Sequence, residues 1–405
     1  MISRRVTLAA AMTVPFIRPA RAAQPLRIGC LTDLSGPYSD LVGLGTVNSI
    51  KLAIQDFGAL HPDVPVELVV ADFSLKPDTG LSIMREWFDN RGVDAIIDVP
   101  LSALALGAVL VLQDKNKVGL FTSPATGDLT RASCGPNHVH FAPGTYCLAA
   151  SMVRAIVEKG GDTWFFIAPD YAMGKSMVTD GAHEVERAGG RVLGSVSHPF
   201  PGTHDFSSFL LGAQSSGAKV ICLTNAGEDA ANCVKQAREF NILGPGKFLA
   251  APFLGDTTVH ALGLADTQST YWPSPFYWDR NDRTRAFAAR LSETLPARKP
   301  NKECANAYSG ALHYLKAAAA LGVEAAKADG RRVVQQMKAM EMDDALFGPT
   351  RIREDGQTLR EMLLLQVKTP AESKGEWDLC KVLATVGPDG LYVPLNEGGC
   401  RMVRT

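Results

Sequence analysis

The chain has 405 residues, with 41 lysine plus arginine against 42 aspartate plus glutamate, a formal charge of −1. That balance, with no basic stripe and no acidic tail, argues against nucleic acid or an anionic membrane surface as a partner. A chain this long exceeds what one hydrophobic core usually supports, so two lobes are expected.

At the amino terminus Arg4 and Arg5 precede an apolar stretch over 6–17 and then Ala20-Arg21-Ala22, a small-x-small site. This is the layout of a secretory signal peptide over 1–23, cleaved near Ala22 or Ala23. The stretch is shorter than the roughly 20 apolar residues a membrane-spanning helix needs. Ser3-Arg4-Arg5 also fits the start of a twin-arginine signal, incomplete at Val6 and Thr7. Cys30 is no lipidation site, because Arg27 stands where such a motif wants an aliphatic residue. Export brings the eight cysteines into an oxidising compartment. Cys30 and Cys222 sit in strand-like runs and read as buried thiols. Cys134, Cys380 and Cys400 lie in loop-like stretches, and one bridge among these three is expected.

Short β-branched runs then alternate with segments of helical period. Strands are predicted over 27–32, 66–72, 95–98 and 118–122, with helices over 43–60, 77–90 and 102–113 between them. Such alternation implies βαβ units and a parallel sheet. The pattern restarts with a helix over 145–159 and the apolar strand Thr163-Trp164-Phe165-Phe166-Ile167-Ala168, of the kind buried on both faces. Helices over 174–188, 206–216 and 229–240 and strands over 191–197, 220–223 and 247–251 complete a second α/β lobe. After Tyr271 come three helices, over 284–294, 306–326 and 331–340. A β-hairpin over 348–367, turned by Asp355-Gly356, follows.

In parallel α/β sheets ligands sit beyond the carboxyl ends of the strands. Those loops are rich in hydroxyls, amides and aromatics: Asp33 to Tyr38, Asp98 to Ala103, Thr122 to Thr126, Asp170-Tyr171 and Thr224-Asn225-Ala226-Gly227. They carry few fixed positive charges, but helix N-termini can hold a carboxylate without arginine. Tyr38, Tyr146, Tyr171, Phe253 and Trp278 are candidates to wall an apolar ligand body. Ser102 and Asp229 have a competing role as helix caps.

Catalytic readings fail on spacing. Gly43-Leu44-Gly45 lacks the third glycine of a dinucleotide fingerprint, and Gly244-Pro245-Gly246-Lys247 is not a P-loop. There is no GxSxG elbow, and His138-x-His140 has no adjacent third ligand. No enzyme activity, cofactor or metal is expected. An exported hydrolase using Asp98 or Asp229, or a ligand-sensing subunit of a signalling system, are the rival readings.

The segment Ile28 to Tyr38 with its Leu34-Ser35-Gly36-Pro37 turn, Asp170-Tyr171-Ala172-Met173-Gly174, Lys235-Gln236-Ala237-Arg238 and Phe347-Gly348-Pro349-Thr350 resemble one family. It is the branched-chain amino acid type of type I periplasmic binding protein, which serves ABC importers. The resemblance implies an α/β fold of two Rossmann-like lobes, joined by a three-strand hinge and closing on ligand like a clamshell. It implies an N-terminal lobe of residues 24–143 plus 274–346 and a C-terminal lobe of 144–273 plus 347–405. It implies a periplasmic monomer that delivers a small carboxylate-bearing solute, a branched-chain amino acid or an aromatic or other organic acid, to permease subunits in the inner membrane. The site residues it implies are Ser102 with Ala103, and Ser123, Ala125 and Thr126, for the carboxylate. Tyr171 and Asn225 lie in the second lobe, and Asp229 would take an amino group. The loop at that acid reads Asn-Ala-Gly, which departs from the amino acid binders' Gly-Gly-Tyr.

Overall fold

The computed structural model describes residues 24–296, 298–344 and 346–403. The expected signal peptide over 1–23 lies outside them. The first sheet is built from β1 (Leu26–Thr32), β2 (Val66–Asp72), β3 (Ala95–Asp98), β4 (Val118–Phe121) and β5 (His138–His140), with α1 (Gly43–Leu60), α2 (Pro77–Asn90) and α3 (Ser102–Lys115) between them. Its order is β2-β1-β3-β4-β5 and every pairing is parallel. β3 and β4 are buried along their whole length, which is why they carry apolar runs without alternation.

The chain then crosses to a second sheet through α4 (Thr145–Glu158). That lobe continues with β6 (Thr163–Pro169), α5 (Ala172–Arg187), β7 (Arg191–His198), α6 (Ser207–Ser215), β8 (Val220–Leu223), α7 (Gly227–Glu239) and β9 (Phe248–Ala250). Two short helices, α8 (Asp256–Leu262) and α9 (Leu264–Thr267), lead into β10 (Tyr271–Ser274). A second crossing reaches α10 (Asp282–Thr294), α11 (Lys302–Leu321), α12 (Val323–Ala328) and α13 (Gly330–Ala339). Of these, α11 packs on α1 and β3 of the first lobe. The expected helix over 306–326 starts earlier, because Asn301 caps it by accepting from Cys304 N at 3.0 Å, and it breaks at Gly322.

The last strands are β11 (Met342–Asp344), β12 (Gly348–Ile352), β13 (Thr358–Leu359), β14 (Met362–Val367) and β15 (Cys380–Val386). The hairpin expected over 348–367 is shorter: β12 and β13 pair around Asp355-Gly356, whereas β14 runs antiparallel to β10 in the second sheet. Met362 to Leu365 are all buried, so this strand belongs inside a sheet and not in an exposed ribbon. The second sheet, β15-β14-β10-β9-β8-β6-β7, is therefore mixed. Where the chain crosses between lobes, His140 and Gln357 form a parallel bridge, and Gln357 Nε2 donates to His140 O and Ala142 O at 3.3 Å each. Cys134 and Cys400 form the disulfide, while Cys380 is a buried free thiol, as are Cys30 and Cys222.

Candidate functional site

The cleft is built from the β1–α1 loop upward. The Asp33 carboxylate accepts from Gly36 N and Tyr38 N, both at 2.8 Å, and so folds the Ser35-Gly36-Pro37 turn back on itself. A Cβ on Gly36 would sit 2.7 Å from that carboxylate, so the turn needs glycine. The folded turn buries Tyr38 and aims it at the other lobe, where its hydroxyl meets that of Tyr171 at 2.6 Å. Phe200, just after β7, stacks on both rings, with centroids 5.3 Å from Tyr38 and 5.0 Å from Tyr171. Pro37 O accepts from Glu228 N in the first turn of α7 at 3.0 Å. Gly227 beside it has φ +59, and a Cβ there would lie 2.2 Å from Pro37 O. Arg131 and Asp180 add an ion pair between the lobes at 2.9 Å. The lobes are closed on one another.

Between them lies a small cavity, about 40 Å³ as seen by a water-sized sphere and partly continuous with solvent. Leu41, Val42, Pro100, Ala125, Met173, Ala226 and Phe253 supply an apolar lining, and Tyr38, Tyr171, Ser102, Ser123 and Glu303 the polar groups. This mixture of an apolar wall with a few placed polar atoms is the usual make-up of a small-molecule site.

Ser102 is the first residue of α3, yet its hydroxyl makes no cap bond and is buried without a partner. It is free to serve something in the cavity together with the unpaired N–H groups of that helix end. Ser123 Oγ bonds to Asp98 Oδ1, with Thr122 Oγ1 at 3.5 Å from the same oxygen. Asp98 and Val99 hold φ of +82 and +59, a left-handed backbone that costs side-chain-bearing residues roughly 1–3 kcal/mol each. Burial pushes the Asp98 carboxyl up to about 7, against the hydrogen bond from Ser123 and with the Glu303 charge adding to the rise.

On the other lobe, Asp229 is buried in the first turn of α7 but does not cap it, and its Oδ2 has no hydrogen-bond partner. Burial, reinforced by Glu228, pushes its carboxyl up to about 7. His198 Nδ1 lies 3.9 Å away. That nitrogen donates instead to Pro199 O at 2.9 Å, while Nε2 accepts from Asn225 Nδ2 at 2.8 Å. Burial lowers the pKa of His198, so the ring is a neutral prop for Asn225 and no counter-charge for Asp229.

Of the residues singled out from sequence, Tyr38, Ser102, Ser123, Ala125, Tyr171 and Phe253 meet at the cavity. Asn225 is buried on His198, and the Asp229 charge is near enough to raise the pKa of both tyrosine hydroxyls. Thr126 is buried outside the lining with its hydroxyl unpartnered, and Ala103 is exposed on α3. Tyr146 borders a separate hollow with Arg131 and Arg353, and its hydroxyl accepts from Arg187 at 2.8 Å. Trp278 packs beneath Lys299, 5.0 Å from its ring centre. Sequence reasoning missed Leu41, Val42 and Glu303, and it named the strand-end loops that carry Pro100, Met173 and Ala226 without singling those residues out. The first two lie in the unusually long β1–α1 connection, a signal that was present, whereas Glu303 arrives from a helix more than 180 residues after Asp98.

Residues 25–376 match the family model described as periplasmic binding protein. The chain belongs to the periplasmic binding protein family. It is 39% identical to a periplasmic binding protein from Burkholderia mallei, over 94% of this chain and 99% of that one, with a TM-score of 0.89. It is 37% identical to a branched chain amino acid ABC transporter periplasmic ligand-binding protein from Burkholderia xenovorans LB400, over 93% and 99% of the two chains, with a TM-score of 0.81. An amino acid ABC transporter substrate-binding protein from Pseudomonas fluorescens Pf-5 shares the fold at 21% identity, over 94% and 100%, with a TM-score of 0.82. No curated protein matches the chain. As a periplasmic binding protein the chain is exported and non-catalytic, and its work is the capture of a small molecule between two α/β lobes. Among the described residues no cluster of three or more His, Cys, Asp or Glu could hold a metal ion.

Proposed function

We propose that this protein is the substrate-binding component of an ABC importer and that its ligand is an α-amino acid. In this reading the carboxylate lies against Ser102, Ser123 and the start of α3, the ammonium group faces Asp229, and the side chain fills the apolar lining. Asp229 carries the argument: it is buried, unpartnered at Oδ2 and, although it does not itself line the cavity, its charge reaches the Tyr38 and Tyr171 hydroxyls that do, and no described lysine or arginine is its hydrogen-bond partner. A buried carboxylate without a partner is costly, and an ammonium ion relieves that cost. Relatives in the family named for amino acid or branched-chain amino acid transport fit the same assignment. We place the lobe boundaries at 24–143 plus 274–346 and 144–273 plus 347–405, with a monomer presenting both lobes to permease subunits.

An aromatic carboxylate is the second reading, favoured by Phe253 and by the Tyr38–Phe200–Tyr171 stack. Calorimetry with leucine, its deaminated analogue 4-methylpentanoate, and benzoate separates the two. Binding of the amino acid with loss of affinity on deamination supports the first. Tight binding of benzoate with no response to any amino acid overturns it.

A further inference from the structure

The cavity contains one formal charge among its described lining residues, Glu303, and neither the strand-end loops nor the amino acid reading accounts for it. It comes from the first turn of α11, is only 6% exposed, and its two oxygens differ in environment. Oε1 lies 2.9 Å from Lys302 Nζ, and both side chains of that ion pair are buried. Oε2 has no hydrogen-bond partner in the protein. The pair is thus close to neutral as a whole and leaves a strong acceptor, Oε2, unused beside an apolar wall, while Lys302 Nζ, in charge contact with Oε1, makes no hydrogen bond of its own.

We infer that Glu303 is a specificity-determining residue that selects a ligand whose side chain ends in a neutral hydrogen-bond donor, such as a carboxamide or a hydroxyl. This rests on the amino acid reading and narrows it. A hydrocarbon side chain would seal Oε2 away from water with nothing to accept, and a buried acceptor left so is expected to cost about tenfold or more in affinity. A cationic side chain would place a second positive charge beside Lys302. A neutral N–H or O–H satisfies the oxygen and adds no charge. Leu41, Val42, Pro100 and Phe253 in the same lining are apolar and suit the hydrocarbon stem of such a side chain.

The test uses near-isosteric amino acids that differ in the donor: asparagine against leucine, and glutamine against methionine, titrated calorimetrically into the full exported chain. The expected result is an amide preference of about tenfold or more in the wild type that disappears in Glu303→Met. Because that variant strands Lys302, the double variant Lys302→Met/Glu303→Met is measured beside it, and it is expected to lose the preference as well. Equal or tighter binding of leucine and methionine by the wild type overturns the inference and leaves the amino acid reading intact. An amide preference that survives in both variants also overturns it. Failure of all four amino acids to bind overturns the inference, whereas the amino acid reading falls only if benzoate binds tightly and no amino acid does.

Discussion

The Tyr38 and Tyr171 hydroxyls, 133 positions apart in the chain and carried by opposite lobes, hydrogen-bond to each other at 2.6 Å. Burial raises the pKa of both, so both stay neutral and one donates to the other. The bond exists only when the lobes meet, and it therefore contributes to the closed state alone. Tyr38→Phe keeps the stack on Phe200 and removes the bond. The expected loss is about 0.5–1.5 kcal/mol of closure, read as a several-fold weaker ligand affinity. Tyr171→Phe in a double-mutant cycle should show the two losses to be non-additive.

Gly227 gives a steric test of the same closure. Its positive φ, and the 2.2 Å that would separate an added Cβ from Pro37 O, leave no room for a methyl group. Gly227→Ala is expected to prop the cleft open, weakening ligand binding by more than tenfold. Small-angle scattering of the ligand-saturated variant should report a larger radius than the wild type. An unchanged affinity would mean that the lobes close differently on ligand.

Asp229 should make binding depend on pH with a definite sign. Its carboxyl, pushed up to about 7, must be ionised to hold an ammonium group. Affinity for an amino acid is therefore expected to rise as pH increases from 6 to 8. In Asp229→Asn that increment should vanish, with affinity at pH 8 reduced at least tenfold. Calorimetry on both proteins across this range gives the difference directly.

Stability runs the other way. Asp98, Asp229 and Asp256 all have carboxyls pushed up to about 7 in the folded chain, with burial the first cause in each. An unfolded aspartate has a pKa of about 3.9, so the folded state holds protons that the unfolded state has released. Their contribution to stability is complete below about pH 4 and is lost as pH rises through 7. The melting temperature of the ligand-free protein should fall between pH 5 and pH 8, and Asp98→Asn should reduce that fall.

The fold was legible because periodicity survives in both kinds of element. The apolar run Thr163 to Ala168 announced a strand covered on both faces, and α1 and α2 begin and end where their sequences change character. The strand-end loops led to Tyr38, Ser102, Ser123 and Tyr171 for a physical reason, since parallel strands deliver their following loops to one edge. Tyr146 and Trp278 are elsewhere because an aromatic near a strand end is as useful to packing as to a ligand, and sequence does not separate those uses. Glu303 escaped because its position depends on the second crossing folding α11 back onto α1. Nothing local to Asn301-Lys302-Glu303 records that return.

The disulfide has a mechanical meaning. Cys134 precedes β5 of the first lobe, and Cys400 lies in the tail that follows β15 of the second, 266 positions later. Everything from 134 to 400, including all seven strands of the second sheet, is thus one covalent ring anchored on the first lobe. The tail becomes a leash of fixed length beside the peptide crossings. A protease that cuts any one crossing should leave fragments that still travel together on a non-reducing gel. In the intact molecule the same leash is expected to give the jaws' travel a stop at the open end, and reducing Cys134–Cys400 to let them swing wider.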